Sequence, residues 1–171
     1  MRLHLKISLL LTLILTAISW SAHAGNLCDL LSFKEVEKTT EIKSLQCKPV
    51  RFYVTYCDKN QEKECGLDDS VLIFKNTPDN LDDLEYIRKS AEENAKAASQ
   101  YTGKKSDPKI SKVDDLGLRA IYYGTGRQLQ WVIAKNKGFT VQLGGKFKKS
   151  DDETQKKVLT ELAKSVTEQA K

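Results

Sequence analysis

The sequence predicts an α+β domain in which helices pack on one face of a twisted antiparallel sheet, in the order α-ββ-α-ββββ-α. Three observations predict it. Short runs of period-two alternation recur from Val50 to Leu143, apolar residues at helical spacing fill 81–98 and 158–166, and four cysteines gather between positions 28 and 65.

The first 24 residues read as a cleaved secretory signal peptide. Arg2 and Lys6 precede an apolar run from Ile7 to Ile18, shorter than the roughly 20 residues a spanning helix needs, so no stable membrane insertion is expected. Ala22-His23-Ala24 supplies small side chains at the −3 and −1 positions of a cleavage site. Residues 25–171 then form a single disulfide-stapled domain, periplasmic or secreted, with 26 basic against 23 acidic side chains once Arg2 and Lys6 are removed.

In an exported chain an even set of cysteines reads as disulfides. Cys28, Cys47, Cys57 and Cys65 are separated by 18, 9 and 7 residues, which leaves no C-x₂-C pair for a zinc site. Of three possible connectivities, proximity favours Cys28–Cys47 and Cys57–Cys65.

Leu31-Ser32-Phe33-Lys34-Glu35-Val36 begins the first element. Ser32 can cap the N–H of Glu35 while Glu35 reaches back, with Leu31 and Val36 as a hydrophobic staple, and a short helix over 33–39 follows. It is too short to be stable alone, and Cys28 can tether it. The next two strands, 50–57 and 70–74, form a hairpin whose polar tip, Asp58 to Gly66, carries a cysteine at each end. Leu81, Leu84, Ile87, Ala91, Ala95 and Ala98 mark the longest helix, started by Pro78-Asp79-Asn80 and stopped by Gly103.

Strands follow near 109–113, 118–123, 128–135 and 139–143. Leu129, Trp131 and Ile133 alternate with Gln128, Gln130 and Val132, as Phe139, Val141 and Leu143 do with Thr140 and Gln142, which is the pattern of a sheet covered on one side. Asn136-Lys137-Gly138 supplies the last turn, with Gly138 free to take positive φ. Ser150-Asp151-Asp152-Glu153 is a second capping box, opening a final helix that turns Val158, Leu159, Leu162 and Val166 inward.

Cys28-x-Leu30-Leu31-Ser32-x-x-Glu35-Val36, followed downstream by Leu116-Gly117-x-x-Ala120, resembles a pattern of small exported bacterial domains of unknown function, many of them actinobacterial lipoproteins. The resemblance implies an α+β envelope protein with no established catalytic residues. This chain departs from it in lacking a lipobox cysteine and in carrying the additional pair Cys57 and Cys65.

Both histidines, His4 and His23, fall in the signal segment. The mature chain therefore lacks the usual general base and the usual transition-metal ligand, and Ser-His-Asp and Cys-His catalysis are excluded. The acidic pairs Asp68-Asp69, Asp82-Asp83, Asp114-Asp115 and Asp151-Asp152 stand beside turns or helix starts, where carboxylates satisfy free N–H groups. Gly124-Thr125-Gly126 joins two strands and is not a phosphate loop. No cofactor and no metal are expected.

What remains is charge. Between Gln100 and Ser150 eleven basic residues face three acidic ones, whereas the segment 58–69 is acidic. Solvated lysines that discourage edge pairing are the plain account. The functional account is a basic surface over 104–149 that meets an anionic protein or envelope component outside the cytoplasm, where nucleic acid is not a partner. Arg119, Tyr123, Lys146, Lys148 and Lys149 are its candidate contacts, Arg119 and Tyr123 sharing one face of their strand unless Tyr123 packs under the last helix. The leading expectation is a non-enzymatic binding protein, of a class that includes inhibitors and immunity proteins. A small-ligand carrier with a crevice between sheet and long helix is the alternative, and a carboxylate-dependent hydrolase the third.

Overall fold

The computed structural model describes residues 27–61, 65–77, 88–89, 92–93, 96–97, 100, 109–135, 137–148 and 151–171. A helical turn at 27–30 leads into the N-terminal helix, Phe33–Thr40. Ser32 caps it by accepting from the Glu35 N–H at 3.3 Å, and the staple residues Leu31 and Val36 are both fully buried. The Glu35 carboxylate lies 3.8 Å from Lys38, one turn on. Glu41 ends the helix in the left-handed region, and Glu37 then accepts the N–H of Leu45, fixing the helix to the strand that follows.

Seven strands form one antiparallel sheet: β1 Leu45–Val50, β2 Tyr53–Asp58, β3 Leu72–Thr77, β4 Ile110–Lys112, β5 Arg119–Tyr123, β6 Gln128–Ala134 and β7 Lys137–Leu143, in the spatial order β1-β2-β3-β7-β6-β5-β4. The chain is thus mixed α+β with the sheet dominant. Three strands rather than two precede β4. The run 50–57 divides at a two-residue turn, Arg51–Phe52, because Val50 pairs with Tyr53, and the added strand β1 carries Pro49 at the sheet edge, where a missing N–H leaves no ladder bond unmade. The expected hairpin forms as the β2–β3 pair, with the acidic segment 58–69 connecting its strands, and β1 adds a further hairpin before it.

Residues 88, 89, 92, 93, 96, 97 and 100 are helical, within the predicted long helix; its ends, its alanine face and its packing lie outside the described residues. The C-terminal helix, Asp152–Gln169, is capped by Asp151, one residue later than predicted, which accepts from the Thr154 N–H at 2.7 Å. The last sheet turn also shifts, for Lys137 and Gly138 belong to β7 and Gly138 does not take positive φ.

Alternation places Val54, Tyr56, Leu72, Phe74, Leu129, Trp131, Phe139, Val141 and Leu143 on one face, all buried. Two hydrogen bonds link this face to the C-terminal helix and to the residues just before the N-terminal helix. The Trp131 indole N–H donates to Thr167 at 3.0 Å, and the Tyr56 hydroxyl donates to the Leu31 carbonyl. Phe74 stacks on Trp131 and on Phe139, which are tilted against each other, at centroid distances of 5.5–6.4 Å in the middle of this layer.

The other face is more covered than its polar alternation implied. Thr55, Gln130, Val132 and Thr140 lie on it and are buried. Threonine tolerates this because its hydroxyl finds a local partner, as Thr140 does in Thr77 at 2.8 Å.

Both disulfides are formed with the expected pairing, Cys28–Cys47 tying the first helical turn to β1 and Cys57–Cys65 pinning the β2–β3 connection. The antiparallel register gives the sheet two unlike ends. The Arg51–Phe52 turn, the end of β3 and the β6–β7 turn share one, the hairpin end. The β2–β3 connection, the β5–β6 turn and the residues after β7 share the other, the Cys57–Cys65 end.

Candidate interaction surface

Arg119 and Tyr123 are the first and last residues of β5 and share its less apolar face, as alternation predicts. They differ in setting. Arg119 is exposed, whereas Tyr123 is half-buried with its ring against Gly126, where a Cβ would stand 2.4 Å from a ring carbon. The tyrosine under the last helix is Tyr122, whose hydroxyl donates to Asp152 at 2.8 Å. Burial, then the Asp152 hydrogen bond and charge, hold the Tyr122 phenol well above the ordinary tyrosine range.

Lys146 and Lys148 are exposed in the segment after β7, at the Cys57–Cys65 end. Lys149 lies outside the described residues. Since Arg119 pairs with Val132 near the β6–β7 turn, it stands at the hairpin end, across the sheet from the lysines. The five candidates therefore do not form one patch.

Other basic residues of the 104–149 window serve the fold. Arg127 takes positive φ in the β5–β6 turn, donates to the Phe147 carbonyl at 2.6 Å and lies over the Phe147 ring, clasping the segment that carries Lys146 and Lys148. Lys137 donates to the Ala170 carbonyl at the end of the C-terminal helix, where a cation complements the helix dipole. Lys109 stands 4.0 Å from Asp152 at the start of that helix.

Two grooves border the basic residues. One, of about 460 Å³, has Lys146 and Lys43 on its rim with Asp58 and Asp69, over a floor that includes Leu45 and Val71. The other, of about 400 Å³, runs between the C-terminal helix and the edge strand β4, bringing Lys112 beside Lys156, Lys157 and Lys164, with Asp114, Glu153 and Glu161 among them. Sequence reading missed the second group because its charge window closed at Ser150. The spacing 153, 156, 157, 160, 161 and 164, one helical stripe, was the available signal.

Among the described residues no group of three or more His, Cys, Asp or Glu side chains is placed to hold a metal ion, and no helix is long and apolar enough to cross a membrane. Asp68-Asp69 and Asp114-Asp115 lie in exposed turns, and Asp151 caps a helix, its carboxyl held below the usual range by hydrogen bonds from Thr154. Asp82-Asp83 lies outside the described residues. Comparison with family models, with curated proteins and with solved structures gave no match.

Proposed function

We infer that the protein is an exported, non-catalytic interaction protein that meets an anionic partner, a protein or an envelope component, through exposed basic side chains. One observation carries this reading over that of a small-ligand carrier. Trp131 is fully buried, stacked on Phe74, tilted against Phe139 and bonded to Thr167, so an apolar ligand pocket there would have to open the centre of the core, while the crevice between sheet and long helix lies outside the described residues. The segment 1–24 and two formed disulfides support an oxidising compartment outside the cytoplasm.

The division of the basic candidates between two sheet ends sharpens the reading to Lys146 and Lys148, with Lys43 on the same groove rim as Lys146. Arg119 then becomes a control. Oxidised protein is used to capture partners from an envelope extract, and the captured partner's binding is measured from about 50 to 300 mM salt. Screening beyond ~8 Å at physiological ionic strength makes a steep loss the expected outcome. Replacing Lys146 and Lys148 by Gln should slow association several-fold, with Arg119→Gln near wild type. Binding indifferent to salt and to Lys146 and Lys148 would return these residues to a solubilising role.

A further inference from the structure

The Arg51–Phe52 turn breaks two local rules in two residues. A two-residue hairpin loop with positive φ at its first position alone favours glycine there, yet Arg51 occupies that position at φ 40°. Phe52, beside it, is 84% exposed, more than Leu118 at 66% or Leu67 at 44%, the other large apolar side chains exposed among the described residues. A glycine and a polar residue would make the same turn at lower free energy, so folding alone accounts for neither side chain.

The two described segments that form the tip and its neighbouring strand carry one sign of charge. From Ile42 to Cys57 the chain holds Lys43, Lys48 and Arg51 and no acidic residue, and β3 adds Lys75, again without an acid from Ser70 to Thr77. Lys48 turns away from the tip, donating to the Gln61 carbonyl. Lys75 is exposed and stands directly across from Tyr53, itself half-buried, and Lys135 is exposed in the β6–β7 turn at the same end of the sheet. One exposed phenylalanine thus has the exposed cations Arg51 on its own turn and Lys75 on the next strand, with Lys135 farther along the same end of the sheet, in the β6–β7 turn.

We propose that this hairpin end docks the protein on an anionic lipid bilayer, with Phe52 entering the headgroup region and Arg51, Lys75 and Lys135 meeting lipid phosphates. An aromatic ring beside cations suits the bilayer interface, where the ring leaves water and each nearby cation gains from the negative surface. The convex shape of the tip favours a bilayer over a protein. A stable protein contact needs about 800 Å² per partner and a complementary pocket, whereas lipid headgroups rearrange around a two-residue turn. The proposed surface is separate from Lys146 and Lys148, which lie at the opposite end of the sheet, and it does not depend on their role.

The test is co-sedimentation of the oxidised protein with vesicles of phosphatidylglycerol and, separately, of phosphatidylcholine. Tip variants are compared with wild type in the same processed form, so any contribution of residues 1–24 is common to all. Binding to the anionic vesicles should weaken about tenfold in Phe52→Ala and about fivefold in each of Arg51→Gly and Lys75→Gln, while Lys146→Gln leaves it unchanged. Arg51→Gly relieves the backbone at the turn, so its loss of binding cannot be ascribed to unfolding. In Phe52→Trp the indole emission should shift to shorter wavelength on adding phosphatidylglycerol vesicles. Equal binding to both lipids, wild-type binding by Phe52→Ala, or a saturable protein partner that requires Phe52 while vesicles are ignored would each overturn the proposal.

Discussion

Arg51 holds a conformation that costs an L-residue of order 1–3 kcal/mol and a glycine little, because a Cβ crowds the backbone at positive φ. Arg51→Gly should therefore raise the free energy of unfolding by about 1 kcal/mol, less than the relief of strain because glycine also loosens the unfolded chain. Denaturant unfolding measures it. A destabilised Arg51→Gly protein would show that the guanidinium contributes to the fold, against the reading of this turn as a binding feature. The same residue explains why sequence reading ran straight through the turn. Turns are read from Gly, Asn, Asp and Pro, and Arg51–Phe52 offers none, so VRFYVTYC read as one continuous strand. Tyr122 and Tyr123 differ in the same way. Alternation says that they face opposite sides of β5, but only the position of the helix says which side is the core.

Among the elements, the N-terminal helix depends most on tethering. Its eight residues are too few to be stable alone, and it is held by the Leu31–Val36 staple, the Leu31 carbonyl's bond from Tyr56 and the Cys28–Cys47 link just before it. Disulfides that close loops with separations of 19 and 8 residues restrict the unfolded chain by about 3 and 2.5 kcal/mol respectively. Replacing Cys28 and Cys47 by Ala should cost about 3 kcal/mol and raise amide exchange across Phe33–Thr40 first. Removing Cys57 and Cys65 should cost slightly less and leave that helix protected. Equal exchange in both double variants would show that the staple, not the disulfide, holds the helix. The disulfides and capped helices were legible because each rests on local sequence. β1 was not, since LQCKPV lacks alternation and contains a proline that only an edge position tolerates.

On the scale of the whole molecule, the apolar face of the sheet could be read from the sequence and the shape of its charge could not. Leu129, Trp131, Phe139, Val141 and Leu143 occupy the core as their alternation requires, because burial acts on each side chain where it stands. A basic surface is a sum over space. The +8 window from Gln100 to Ser150 separates on folding, with Arg119 at one end of the sheet, Lys146 and Lys148 at the other, and Arg127 and Lys137 bonded to backbone carbonyls. Gln130 and Thr140 show the converse, polar side chains on a face that sequence assigned to solvent and that the fold buries.

The pH dependence of stability is also a property of the whole molecule, and its sign follows from three groups. Asp151 is held below its ordinary pKa of 3.8, so its contribution is present above that value and is lost as pH falls through the depressed one. Tyr56, raised by burial, and Tyr122, raised by burial and by Asp152, keep their protons in the folded state after the unfolded chain has begun to release them near pH 10. Their contribution is complete below pH 10 and is lost as pH rises toward the folded-state values. None of the three titrates between pH 5.5 and 7.5, and both histidines, His4 and His23, precede the described fold. The free energy of unfolding should therefore change by less than about 1.4 kcal/mol across that window, the equivalent of one pKa unit in a single group. Above pH 10 both tyrosines add to the loss of stability as the unfolded chain releases its protons first, so Tyr122→Phe should make the alkaline loss smaller. Denaturant unfolding at pH 5.5, 6.5, 7.5, 9.5 and 10.5 measures both limbs. A fall of more than about 1.4 kcal/mol from pH 5.5 to 7.5 would reveal a buried carboxyl that keeps its proton near neutrality, and that carboxyl would reopen the case for catalysis.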